Sequence, residues 1–380
     1  MTRPSPHSTE RVHPREATFL KSVSSHPRDK DAPPRPPQPN PGARLSVRML
    51  SRIQKLVRTA DGFVARAYLR VVNEKPALLA FLFHSLFHDE EEITRNHVDP
   101  LDRTTVARFR EVVAYYASHG YQFVGPDRIA QGLESGGRYV ALTFDDGYFN
   151  NTRALPVLEE FQVPATFMIS TDHVRRNRCF WWDALHREMV ARGATIEDVA
   201  RESLRLKAKR DDQIEAELKA RYGPGVSTPR SDVDRPFTPA ELREFARHPL
   251  VHVGNHTVSH AILTNYPENE ARRQIAKAQA SLIEFTGVQP IAIAYPNGAF
   301  TPRIEELCRE LGLKVGFTIR PEKNRTPLDS DDPRLLHLGR FTPHSQDTIV
   351  NQCRTYRSDL QLYGSLRGNY VRFCRNGFSN

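Results

Sequence analysis

From residue 77 onward the sequence alternates short apolar runs with helical patterns, and this rhythm constrains the fold more than any other feature. The runs are Ala77–Phe83, Tyr121–Val124, Tyr139–Phe144, Ala165–Ser170, Leu250–Val253, Ile291–Tyr295 and Lys314–Ile319. Each has the length of a strand, and none approaches the ~18 residues needed to cross a bilayer. Between the first two, Val106, Phe109, Val113 and Tyr116 recur at helical spacing before Gly120. A second helix is predicted after Thr238, where Pro239 suits the first turn and Glu241 completes a capping box. A third runs from Glu268 to Phe285, with Ile275, Ala278, Leu282 and Phe285 on one face and Gly287 beyond its end. A fourth opens at Thr301-Pro302 and stops near Gly312. Strands that alternate with helices pair in parallel, and such a series suits a (β/α) barrel better than two separate domains. No glycine-rich phosphate loop follows any run, which argues against a nucleotide-binding fold.

Other segments fall outside this rhythm. Residues 1–45 are rich in Pro, Ser, Arg and His and bury too little apolar surface to offset ordering entropy, so a disordered tail is expected. Residues 46–76 form a basic amphipathic helix and linker, with Leu50, Ile53, Leu56, Val57, Phe63 and Val64 at helical spacing among Arg48, Arg52, Lys55, Arg58, Arg66 and Arg70. Such a helix either docks on the main domain or has residues 46–72 touch a membrane surface or another anionic partner. Residues 1–75 hold 15 Lys/Arg against 6 Asp/Glu, so they account for the whole +9 of the chain. The remainder is neutral and gives no reason to expect nucleic acid as a partner. Residues 77–345 form the barrel, residues 171–236 interrupt it as an insertion at a strand end, and residues 346–380 form a C-terminal helix and tail. Cys179, Cys308, Cys353 and Cys374 are too scattered for a zinc site or a disulfide scaffold. With no secretory signal or membrane span visible, the default location is the cytoplasm.

Three strand ends carry chemistry. Thr143-Phe144-Asp145-Asp146-Gly147 ends a strand in two carboxylates. Neighbouring side chains on a strand point to opposite faces, so both carboxylates serve one site only if the chain turns there, as Gly147 permits. His256-Thr257-Val258-Ser259-His260 places two histidines at i and i+4, one face of a helix, where they can share an ion. Each motif alone is an ordinary turn or exposed pair. Together they supply one carboxylate and two imidazoles as metal ligands, an open position for water and a spare carboxylate as base, the pattern of a catalytic metal site. Ala294-Tyr295-Pro296-Asn297-Gly298 forms a turn at a third strand end.

In this order the three motifs resemble those of the polysaccharide deacetylase family, the NodB homology domain of carbohydrate esterase family 4, over roughly residues 77–342. The resemblance implies an α/β fold, an irregular (β/α)7 barrel, and a divalent metal, usually Zn2+. It implies Asp145 as the general base that activates the attacking water, Asp146, His256 and His260 as metal ligands, and the Asn297 backbone N–H as an oxyanion donor. Ala294 stands where the family often has an arginine that pairs with the catalytic aspartate, as in an exopolysaccharide-deacetylase-like branch, so the partner of Asp145 is left open. In that branch the general acid comes from the end of the first strand, where His84 stands; His337 is the second candidate. Leu335-Leu336-His337-Leu338-Gly339-Arg340 matches a pattern that ends in arginine. Trp181, Trp182 and Tyr295 are candidate sugar contacts, the tryptophans alternatively packing a helix on the barrel.

The expected activity is metal-dependent removal of N-acetyl groups from GlcNAc-containing oligo- or polysaccharide of the chitooligosaccharide, exopolysaccharide or peptidoglycan type. Two alternatives are hydrolysis of another acyl substrate and a glycan-binding barrel with impaired turnover.

Overall fold

The computed structural model describes residues 62–99 and 103–359. The expected tail, the first part of the basic helix and Cys374 lie outside the described residues. Residues 62–71 are helical, but Phe63 is 68% exposed and Val64 also faces out, whereas Ala65 is buried. The expected inward stripe therefore does not hold here. Gly62 comes so close to Asn351 that a Cβ would lie 3.2 Å from its side chain, and this approach sets the other face inward.

All seven apolar runs form strands: β1 (Ala77–Phe83), β2 (Gln122–Phe123), β3 (Arg138–Phe144), β4 (Ala165–Ile169), β5 (Val251–Asn255), β6 (Ala292–Ala294) and β7 (Val315–Phe317). Two short strands with no sequence signal follow, β8 (Asn324–Arg325) and β9 (Arg340–Phe341). The sheet order is β7-β6-β5-β4-β3-β1-β8, with β2 beside β3 and β9 beside β1; every pairing is parallel except that of β8. Residues 338–341 close the circuit. Leu338 bridges to Phe317 of β7, and Arg340 and Phe341 then pair with Ala80 and Phe81 of β1. Gly316 permits this seam, because a Cβ there would sit 2.2 Å from the Leu336 carbonyl oxygen. The result is an irregular parallel barrel surrounded by helices, the architecture expected.

Strand alternation sorts the core into two layers. Leu79, Phe81 and Phe83 of β1 pack outward with Phe109, Phe144 and Phe167 beneath the helices. Leu78 and Ala80 face the interior with Ala141, Met168, Ala292, Ala294 and Phe317, where alanines suit the narrow bore. The predicted helices form as Val106–Ser118, Pro239–Phe245, Glu268–Thr286 and Pro302–Glu310. Thr238 and Glu241 make the capping box, and Gly287 ends its helix at φ +76°. The interruption contains four helices, Thr171–Arg176, Trp181–Val190, Ile196–Leu206 and Asp211–Tyr222, with a small core of Cys179, Leu185, Leu206 and Leu218. Cys179, Cys308 and Cys353 are free and buried. No helix of the described residues is long and apolar enough to cross a membrane.

Candidate active site

The strand ends converge at one mouth of the barrel. After Phe144 the Asp145 N–H still donates to the Phe83 carbonyl at 2.9 Å, and the chain then turns sharply. Asp146 takes φ +78° and Gly147 φ +93°. A non-glycine residue in the left-handed region is strained, and here the strain is what brings both carboxylates to one side. The turn is pinned by Ser170 N–H to Asp146 O at 3.0 Å and Gly147 N–H to Asp145 O at 3.1 Å.

The histidines do not share a helix face, as their spacing suggested. Thr257 and His260 both have positive φ, 63° and 54°, and two left-handed residues so close together forbid a helix. The segment is a turn whose amides are satisfied by side chains. Asn255 Oδ1 accepts from Thr257 N–H at 2.8 Å, and Gln274 Oε1 from Val258 N–H at 3.1 Å. Even so, the turn brings both imidazoles to Asp146. Its Oδ1 lies 3.5 Å from Nε2 of His256 and 3.5 Å from Nε2 of His260, too far for good hydrogen bonds. The three donor atoms all lie within 4.8 Å of one another.

These residues fit a divalent ion. Asp146 Oδ1 is buried and has no hydrogen-bond partner, a costly state that a cation would relieve. His256 Nδ1 lies 2.8 Å from the Ala294 carbonyl oxygen, which it meets as a donor, leaving Nε2 as a lone-pair ligand. Burial, then the neighbouring His256, His173 and Lys207, holds His260 well below the usual imidazole range, which favours its neutral, ligating form. One carboxylate and two imidazoles are a donor set suited to a divalent ion such as zinc, with a position left open.

Asp145 stands beside this set but is held by another partner. Arg340 grips it with both arms, Nη1 to Oδ1 at 2.7 Å and Nη2 to Oδ2 at 2.8 Å. The guanidinium also donates to Thr143 Oγ1 at 2.9 Å and to the Thr318 carbonyl at 2.9 Å, so it is fixed from both sides of the seam. Burial alone would raise the Asp145 carboxyl; the charge of Arg340, then that of His256, more than offsets this and holds it below its usual range. The partner left open by the sequence is therefore Arg340. Its only signal was the late arginine-ended pattern.

His84, Asn297, Trp181 and Trp182 line the same cavity as Asp146 and His260. Asn297 takes φ +58° in the Pro296–Gly298 turn. His337 does not line it: it pairs with Glu305 at 2.8 Å and stacks near Phe300. Tyr295 is also corrected as a sugar contact. It is 0% exposed and its hydroxyl donates to the Leu336 carbonyl at 2.8 Å, so it packs beneath the turn.

The buried imidazoles set a pH dependence. His260 and His173 are both held below the usual value, burial being the largest cause. A group with a depressed folded pKa stabilises the fold above its unfolded value, about 6.5 for histidine, and that stability is lost as pH falls through the folded pKa. The metal-free protein should therefore melt at steadily lower temperature from pH 7 to pH 5, read by calorimetry. His260→Asn should flatten the slope; an equal slope in that variant would refute the assignment.

A family model described as polysaccharide deacetylase matches residues 133–223 and 226–316. Among solved structures, the polysaccharide deacetylase BC0361 from Bacillus cereus is 17% identical, with 74% of this chain and 69% of that chain covered and a TM-score of 0.51. IcaB from Ammonifex degensii is 17% identical, covering 75% of this chain and 99% of that one at a TM-score of 0.50. The Streptococcus pyogenes deacetylase PplD, in complex with acetate, is 17% identical, with 74% and 99% covered and a TM-score of 0.50. At such identities the likeness is one of fold. No curated protein matches the chain.

Proposed function

The chain belongs to the polysaccharide deacetylase family, and on that premise we propose that it is a metal-dependent hydrolase that removes N-acetyl groups from GlcNAc-containing oligo- or polysaccharide. The observation that carries this reading is the buried, arginine-held carboxylate of Asp145 beside the Asp146, His256 and His260 donor set. An ion held by those three, zinc as first choice, would supply Lewis acidity that polarises the acetamide carbonyl and makes water more acidic.

The chain's own groups account for the rest. Asp145, kept ionised and aimed by Arg340, accepts the proton of the attacking water. The Asn297 backbone N–H offers a donor to the charge that develops on the carbonyl oxygen. His84, which follows β1 and lines the same cavity, gives a proton to the departing amine nitrogen. Trp181 offers an aromatic wall to a sugar ring. Acetate, which the PplD structure contains, is the product this reading expects. Arg340 supplies the cation that the third motif lacks, which counts against a barrel that binds glycan without turnover.

The test is acetate release by the full chain from chitooligosaccharides, poly-N-acetylglucosamine and peptidoglycan, with O-acetylated xylan as a contrast. We expect release from at least one N-acetylated polymer, its loss on chelation and its return with Zn2+. Release from the xylan alone would favour the ester alternative, and sugar affinity without release would favour the binding one.

A further inference from the structure

His256 and His260 are fixed by different means. The ring of His256 has its hydrogen bond to Ala294 O, the usual anchor of a ligating imidazole. His260 has none: its Nδ1 is buried without a hydrogen-bond partner among the described residues. Its ring is held by aromatic packing instead. The Trp182 indole meets it edge to face with centroids 4.6 Å apart and planes at 62°.

Trp182 is itself locked in place. Its Nε1 donates to the Tyr148 hydroxyl at 3.0 Å, and Phe180 stacks on it at 4.8 Å. The Tyr148 hydroxyl donates to Asp183 Oδ2 at 2.7 Å. Asp183 is fully buried, and its Oδ1 accepts from the Asp99 N–H at 2.9 Å. These contacts form one chain from a buried carboxylate to a ligand ring. Tyr148 follows the aspartate turn on the barrel, whereas Trp182 and Asp183 lie in the first turn of the Trp181–Val190 helix of the insertion.

We propose that Asp183, Tyr148 and Trp182 are positioning residues that hold His260 for the metal, so that the insertion completes the ligand set instead of merely covering it. This rests on the reading that Asp146, His256 and His260 hold an ion. It recasts Trp182, a candidate sugar contact, as a support for the ligand.

The experiment is a Zn2+ titration of the full chain against a competing chelator, together with the visible spectrum of the Co2+-loaded protein. Tyr148→Phe and Trp182→Leu should each bind Zn2+ about tenfold more weakly, the order found when a support behind a ligating histidine is removed. Their Co2+ spectra should shift, and kcat should fall more than KM changes. Tyr116→Phe is the control, since its buried hydroxyl donates to Cys353 O away from the site; it should bind as wild type. Wild-type affinity and spectrum in both variants would overturn the proposal, as would an equal loss in the control. If Tyr148→Phe does not fold, Trp182→Leu decides alone, because that side chain is partly exposed. A wild type that binds metal but releases no acetate sinks the deacetylase reading and leaves this one standing; a wild type that binds none sinks this one.

Discussion

Arg340→Met should lower kcat/KM for acetate release about a thousandfold at neutral pH, within the range expected when a positioned general base is lost. The variant keeps the volume of the side chain but removes the guanidinium paired with Asp145. The carboxyl then feels burial without its compensation, and its pKa rises. Two consequences separate this from general damage. The acid limb of the pH–rate profile should move to higher pH, so activity partly returns in alkaline solution. The protein should also lose about 3–5 kcal/mol of stability, because one member of a buried pair is left uncompensated. Arg340→Lys should restore some charge but not the two-armed grip, and so recover only part of the rate. An acid limb that stays in place in Arg340→Met would mean that Arg340 does not set the ionisation of Asp145.

Asp145→Asn should cost about 10²–10⁴ in kcat with little change in KM, since in the proposed mechanism the group removed acts on the water and not on the sugar. Zinc content should be unchanged, because Asp146, His256 and His260 remain. The substitution leaves the Arg340 guanidinium buried and facing an amide, so this variant should also be less stable than wild type. The double variant Asp145→Asn/Arg340→Met should then be more stable than either single one, because no uncompensated charge is left in the barrel. Urea denaturation of the four proteins measures this. Strictly additive losses would show that the two side chains are not energetically coupled.

The parts of the fold that were legible are those with local causes. The longer strands announced themselves because both faces are largely buried, so each reads as a continuous apolar run, as β1 does. Thr238, Glu241 and Gly287 marked helix ends by their own hydrogen-bonding chemistry or freedom of φ. The two-residue strands β8 and β9 are too short for any periodicity, and they form only because β1 offers them an edge.

The site was legible in composition and less so in geometry. Asp145, Asp146, His256 and His260 were found from residue type and spacing. The helical spacing is not what brings the pair together: i and i+4 fits a helix, whereas the histidines meet through a turn with Thr257 and His260 in the left-handed region. That turn depends on Asn255 and Gln274, and Gln274 comes from a separate helix. Arg340 was the functional residue least visible, since it lies 195 residues from Asp145 and only barrel closure brings them together. Tyr295 shows the opposite error. A tyrosine in a loop motif suggests contact with sugar, yet its ring fills the space beneath the turn.

The seam at residues 338–341 makes the reaction conditional on completion of the chain's architecture. The proposed metal ligands lie just beyond the ends of β3 and β5, in the middle of the polypeptide, and could assemble before the last strand arrives. The counter-ion of the base comes only with that strand, threaded between β7 and β1. A partly folded or prematurely ended chain could therefore collect an ion yet carry a base with no counter-charge. Assembly order would act as a safeguard, in which ion capture comes first and hydrolytic competence last.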